Sequence, residues 1–289
     1  MSGIGKRFLD AGYEKTKSLL RVDGKEIIEY VAEMFPGNNE FIFVCNEEHL
    51  RDTNMRRVLE RIKPDGKIIG IERKKKGPVY VVSRIFDLIK DEEDVMISYC
   101  DYYMEWDFKK FVEEVRNSDY DGAVPSYIGF HPHLLHKKYY AGVLADEKKV
   151  MTDIKEKYCF TESLMDSYQS AGAYYFRRGD ELKKYFQELM DKDINLNDEY
   201  YVSMVYYLYL RDKKKIYVPE VKKFMQWGTP EDLEEFEAWS RYFAKELNRG
   251  KKITDIPAIR EDKVVIPYSE DSEEFKKSYQ YWREYFISK

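Results

Sequence analysis

A chain of 289 residues with 43 % hydrophobic residues can bury a substantial core and reads as one domain with an appendage. Its net charge of −5 excludes a general nucleic-acid or membrane surface, which would call for an excess of Lys and Arg, so any basic site has to be local. No apolar run approaches the ~20 residues of a membrane helix and no charged-then-apolar leader opens the chain, while Cys45, Cys100 and Cys159 read as buried free thiols, so the expectation is a soluble cytoplasmic protein.

The chain opens MSGIGKRFLDAGYEKTKSLL, which crowds Gly3, Gly5, the Lys6-Arg7 pair and Lys17 into one short stretch. Glycine removes the Cβ that would keep backbone N–H groups away from an anion. The loop matches neither common phosphate motif: its glycines are too close for the Walker pattern, and no third glycine completes the dinucleotide fingerprint. The segment LLRVDGKEIIEYV then reads as strand, turn and helix, the helix spanning 25–34.

Buried strands are expected over 41–45, 67–71 and 95–100, with helices over 48–62 and 78–89 between them. Lys74 to Lys76 read as a solvated run ahead of Gly77 and Pro78. Asp101 stands where the third apolar strand ends, the edge at which open α/β sheets bind ligands, and its carboxylate oxygens suit a hard cation. Asp107 is placed to cap the next helix.

Further strands are expected over 121–128, 139–145 and 173–176, and helices over 180–190, 200–210 and 230–247. The last of these opens with Thr229 as N-cap, Pro230 at the first helical position and acidic Glu231 and Asp232. His131, His133 and His136 invite a zinc reading, but Pro132 interrupts the helical spacing and no carboxylate completes the set, which leaves a role beside an acceptor. Tyrosines are spread along the whole chain and read as compositional bias, not as a binding surface.

From Gly250 a mixed-charge stretch reads as a linker. A final helix over 272–287 places Phe275, Tyr279, Trp282 and Phe286 on one face, to dock on the body or on a second copy of the chain in a homo-oligomer. The alternation of short strands and amphipathic helices predicts a three-layer α/β/α fold with a mixed, mainly parallel central sheet over 1–249, followed by a linker and C-terminal helix over 250–289.

Gly3, Gly5, Arg7, Lys17, Val22, Gly24 and Lys25 together resemble the signature of the GT-A-like nucleotidyltransferases, the sugar-1-phosphate and choline-phosphate nucleotidylyltransferases. The nearest look is to a subgroup of capsular polysaccharide gene clusters often filed with family 2 glycosyltransferases, and the similarity runs from Ser2 to about Phe243. The resemblance implies a Rossmann-like nucleotide-binding core. It also implies Mg²⁺-dependent transfer from a nucleoside triphosphate to a small phosphorylated acceptor, with release of pyrophosphate.

By the same resemblance Ser2, Gly3, Gly5, Lys6, Gly77 and Pro78 bind the nucleotide, Arg7 and Lys17 neutralise its phosphates, and Asp101 holds the metal. Lys157 aligns the acceptor phosphate, with Glu156, Gly172 and Glu199 on the acceptor side.

The chain departs from the family pattern in several places. Thr16 replaces the proline before Lys17, Tyr158 replaces the proline after Lys157, and Gln226 stands where a second metal aspartate is usual, a place that Glu199 could fill. The apolar first strand that should precede the serine-glycine is missing, so a gap in the sheet is expected. Two rival readings share the fold: a glycosyltransferase using a sugar nucleotide, and a degenerate nucleotide-binding regulator. The stretch CDYY lacks the two aspartates one residue apart that such glycosyltransferases carry, which favours nucleotidyl transfer.

Overall fold

The computed structural model of the chain describes residues 1, 3, 5–135, 140–247 and 267–288. The order begins with α1 (Lys6–Asp10), a small hairpin of β1 (Arg21–Val22) and β2 (Lys25–Glu26), and α2 (Ile27–Glu33). It continues through β3 (Ile42–Asn46), α3 (Glu47–Asp52), α4 (Met55–Ile62), β4 (Lys67–Ile71), α5 (Gly77–Ser83), β5 (Val95–Ser98), β6 (Tyr102–Glu105) and α6 (Phe108–Arg116). Short strands β7 (Gly122–Ala123), β8 (Ser126–Tyr127), β9 (Gly142–Ala145), β10 (Met151–Lys155), β11 (Tyr168–Ser170) and β12 (Ala173–Phe176) follow. The chain then runs through α7 (Gly179–Asp191), α8 (Val202–Arg211), β13 (Ile216–Tyr217), β14 (Lys223–Gln226), α9 (Pro230–Glu246) and α10 (Glu273–Ile287).

Strand order β13-β7-β12-β5 forms the sheet around which the layers are built. Side chains alternate across β12, as the two-residue period of a strand requires. Tyr174 and Phe176 pack with Phe186 of α7 and Tyr206 of α8 on one face, and Tyr175 packs with Phe111 and Val115 of α6 on the other. Helices therefore cover both faces, as the α/β/α expectation has it. Pairing is mixed: β3 with β4 and β7 with β13 run parallel, and the remaining ladders are antiparallel. β3 and β4 form a separate two-stranded sheet, and Met1 lies along β3, its amino group donating to Val44 O at 2.9 Å.

Three expected elements are divided, and the helix over 78–89 is one of them: α5 ends at Ser83 and a 3-10 turn over Phe86–Leu88 follows it. The helix over 48–62 breaks at Thr53, which is extended, and whose hydroxyl donates to His49 O at 2.6 Å and accepts from Met55 N at 3.2 Å, ending α3 and starting α4. The strand over 121–128 is split into β7 and β8 around Pro125, which has no N–H for a ladder. Only Cys45 of the three free thiols is buried: Cys100 lies past the end of β5 and Cys159 in the loop after β10, and both are half-buried.

The apolar face of α10 docks on the body. Trp282 meets Phe236 edge-on at 5.1 Å and Phe275 lies 5.4 Å from Trp239, so the sequence-defined stripe is spent on α9. The expected linker lies largely outside the described residues.

One residue of α9 breaks the pattern of burial. Glu237 is 0 % exposed and neither carboxylate oxygen has a hydrogen-bond partner among the described residues. Burial pushes its carboxyl from 4.5 up to about 8, against the pull of the Arg241 guanidinium one turn along. A raised carboxyl favours the protonated folded chain, so its contribution to stability is present below about 4.5 and is lost as pH rises through about 8. Glu237→Gln is expected to flatten the fall of unfolding free energy across that window. It should stabilise the alkaline end by a few kcal/mol, since each tenfold change in a proton-binding constant corresponds to about 1.4 kcal/mol. Urea unfolding at a series of pH values measures this, and parallel curves for the two proteins would contradict it.

Candidate active site

Asp101 follows β5, and its position is fixed through the backbone before its side chain is considered. Its carbonyl accepts from Trp227 N at 3.0 Å, just beyond β14, and the ladder between β6 and β14 sets Tyr102 opposite Gln226. The end of β5, the start of β6 and the end of β14 thus meet at one corner.

The N-terminal segment reaches the same corner from the other side. Phe8 of α1 is buried and packs edge-on against Tyr13 at 5.1 Å, which anchors the first turn. A 3-10 turn over Lys17–Leu19 buries Ser18 and Leu19 and leaves the Lys17 stem free to point inward. Its ammonium meets Asp101 Oδ2 at 2.6 Å, with 25 % and 18 % of the two side chains exposed. Burial works to lower the Lys17 pKa, but the charge and hydrogen bond of Asp101 outweigh it and the net shift is upward, so the lysine is a firm cation.

These groups line a cleft of about 300 Å³. Of the residues singled out in the sequence, the cleft gathers Arg7, Lys17, Asp101, Glu156, Lys157 and Gly172, together with Gln226. Lys157 holds its ammonium 5.4 Å over the ring of Tyr201. The Glu156 carboxylate accepts from the Ser203 hydroxyl, and burial raises its pKa against that bond.

Other candidates stand outside the lining. Gly5 is near it: a Cβ on Gly5 would lie 3.9 Å from Lys17 Cβ. Gly3, Lys6, Gly77, Pro78 and Glu199 are not among the lining residues either. Glu199 accepts from the Tyr201 hydroxyl at 2.8 Å and so sits one side chain behind the cleft. Gly77 packs against Tyr200, whose amide donates to Lys76 O at 2.9 Å and whose carbonyl accepts from Val79 N at 3.0 Å. Ser2 and His136 lie outside the described residues. His131 and His133 are buried beneath the cleft wall, where Tyr127 OH and His133 Nε2 are 2.9 Å apart.

The tyrosines correct the compositional reading. Tyr99, Tyr102, Tyr140, Tyr174 and Tyr201 all line the cleft, giving it aromatic walls with hydroxyl groups. Their even spread along the chain hid this, because the residues arrive from four separate segments. Gly228 was also missed, although it sits beside Gln226 in the stretch WGTP.

Gly228 bears on whether a divalent cation fits. A Cβ there would come within 2.9 Å of Asp101 Oδ2 and 2.5 Å of Gln226 Nε2, so the glycine leaves open the space in front of the carboxylate. Among the described residues no group of three or more His, Cys, Asp or Glu could hold an ion alone. One carboxylate is nevertheless enough for Mg²⁺ when substrate phosphates and waters supply the rest of its coordination, so the residues fit the ion.

The chain is similar to known proteins in family and in fold. Residues 2–158 match the model of the MobA-like NTP transferase domain. No curated protein matches the chain in sequence. Among solved structures, a nucleoside-diphosphate-sugar pyrophosphorylase from Vibrio cholerae RC9 is 15 % identical with a TM-score of 0.67, over 81 % of this chain and 96 % of that one. The inositol-1-phosphate CTP transferase from T. maritima is 16 % identical with a TM-score of 0.60, over 80 % and 87 %. At such identities the likeness is one of fold.

The two close-approach glycines are expected to differ on substitution. A Cβ on Gly77, at φ +81, would lie 2.6 Å from the Tyr200 amide nitrogen, so Gly77→Ala strains backbone against backbone and should cost roughly 2 kcal/mol or more. Gly228→Ala meets only the ends of two side chains, which can shift, and should cost less than half as much. Denaturant unfolding of both variants checks the order, and equal losses would contradict it.

Proposed function

The chain belongs to the MobA-like NTP transferase family, and from that premise we propose that it joins a nucleoside triphosphate to a small phosphorylated acceptor, a sugar-1-phosphate or a choline-phosphate-like compound, releasing pyrophosphate. The chain is a nucleotidyltransferase. The Mg²⁺ requirement, the acceptor class and a place in surface-polysaccharide synthesis are the finer parts of this reading.

The observation that carries it is the convergence of Arg7, Lys17 and Lys157 with the carboxylate of Asp101 in one cleft. The chemistry needs this arrangement. An oxygen of the acceptor phosphate attacks the α-phosphorus in line, the bond to the β-phosphate oxygen breaks, and negative charge gathers on the leaving pyrophosphate. Arg7 and Lys17 offset that charge, in a cleft where partial exclusion of water strengthens the interaction. Lys157, on the side of Glu156 and Gly172, brings the acceptor phosphate to the same point and so overcomes the repulsion between two anions. Asp101, with Gln226 beside it, would hold Mg²⁺, which when bound screens the phosphate charge and orients the chain of phosphates.

A screen of four nucleoside triphosphates against a panel of phosphorylated acceptors, read as pyrophosphate formation, tests the reading. One pair should give pyrophosphate and a nucleotidylated acceptor in equal amounts. Lys17→Met should lower that turnover roughly 100- to 1000-fold, as loss of one charge-stabilising donor does elsewhere, with an unchanged circular dichroism spectrum. Transfer from a sugar nucleotide with release of nucleoside diphosphate would support the glycosyltransferase instead. Tight nucleotide binding without any product would support the regulator.

A further inference from the structure

Asp101 Oδ2 carries two claims. The Lys17 ammonium already meets it at 2.6 Å, and the space kept open by Gly228 lies in front of the same oxygen. An ammonium and a divalent ion cannot both sit on one carboxylate oxygen without strong mutual repulsion. Both side chains are mostly shielded from solvent, so salt does little to relieve that conflict.

The lining offers the ion little else: the other carboxylate in the cleft, Glu156, is engaged by the Ser203 hydroxyl. Among the described residues no group of three or more His, Cys, Asp or Glu could hold the ion, and Gln226 brings a neutral amide where a second carboxylate would tip the balance toward the metal. Lys17, by contrast, has somewhere to go. Its backbone is held in a turn with Ser18 and Leu19 buried, while the four-carbon stem carrying the charge is flexible and able to move its head within the cleft.

We propose that Lys17 is an exchangeable cation: it occupies Asp101 and bars a free divalent ion, and it yields the carboxylate only to an ion that arrives with a triphosphate, onto whose oxygens the ammonium then moves. This rests on the reading under Proposed function, and it adds an order to it. Metal and nucleotide enter as a unit, and a metal ion alone is turned away. By linkage, the same residue that opposes the ion without nucleotide favours it with nucleotide.

Two binding measurements test the exchange, neither of which needs turnover. Mn²⁺ alone is titrated into the full chain and followed by loss of its free-ion paramagnetic resonance signal. The expected result is weak binding to the unaltered protein and to Lys17→Arg, which keeps the charge. Lys17→Met should bind at least tenfold more tightly, and the double variant Lys17→Met with Asp101→Asn should lose that gain. Equal affinity of the unaltered protein and Lys17→Met overturns the proposal, as does a gain that survives loss of Asp101.

The α,β-methylene analogues of ATP, GTP, CTP and UTP are then titrated calorimetrically in saturating Mn²⁺. One should bind, and Lys17→Met should bind it at least tenfold more weakly, whereas unchanged affinity overturns the transfer of the ammonium to the phosphates. If no analogue binds the unaltered protein, the nucleotidyltransferase reading of the site fails, and the exchange, which requires a triphosphate, is overturned with it. A gain in Mn²⁺ affinity for Lys17→Met would then mark only repulsion at Asp101.

Discussion

Lys17 and Asp101 stand 84 residues apart in sequence and 2.6 Å apart in space, and most of the site is arranged so that they meet. The ion pair alone would not suffice, because a flexible lysine tied only to a carboxylate holds little. What makes it specific is backbone placement on both sides. Asp101 is fixed by the Trp227 amide and by the β6–β14 ladder, and Lys17 by a turn rooted in the core. The fixing extends outward from there. Phe224 of β14 lines the cleft and stacks on Tyr127 at 4.4 Å, and its carbonyl accepts from the Tyr281 hydroxyl of α10 at 3.0 Å. The C-terminal helix is therefore the back wall of the strand that closes the site.

Charge follows the same logic. A chain with net charge −5 concentrates Arg7, Lys17 and Lys157 around one cleft. The local field in the cleft, and not the overall balance, decides what binds there. Glu156 shares the cleft, but its carboxylate is held by the Ser203 hydroxyl of α8, whereas Lys17 is engaged by Asp101. Glu237 of α9 is a buried acid without a hydrogen-bond partner among the described residues, a local cost to stability that the aromatic packing between α9 and α10 has to outweigh.

Much of this was legible in the sequence, for physical reasons that differ by element. Asp101 could be found because an apolar strand ends at it, and the edge where strands end is where such sheets bind ligands. α9 declared itself through Thr229, Pro230 and two acids, and the last helix through four aromatic residues at helical spacing. Lys17 needed the family pattern, since a lysine in a loop carries no periodic signal. The break at Thr53 and the split at Pro125 came from side-chain and backbone chemistry at single residues, which apolar periodicity does not register. The tyrosine walls were hidden because four separate segments supply the rings, and only folding places them together. Gly228 was hidden in the opposite way: its contribution is an absent Cβ, visible only once Asp101 lies against it.

The most direct test of the account is a crystal structure of the chain with Mg²⁺ and a non-hydrolysable nucleoside triphosphate. The account places the ion on the Asp101 carboxylate, the phosphates between Arg7 and that ion, and the Lys17 ammonium on a phosphate oxygen instead of on Asp101. A triphosphate bound elsewhere, with Lys17 still on Asp101, would contradict it.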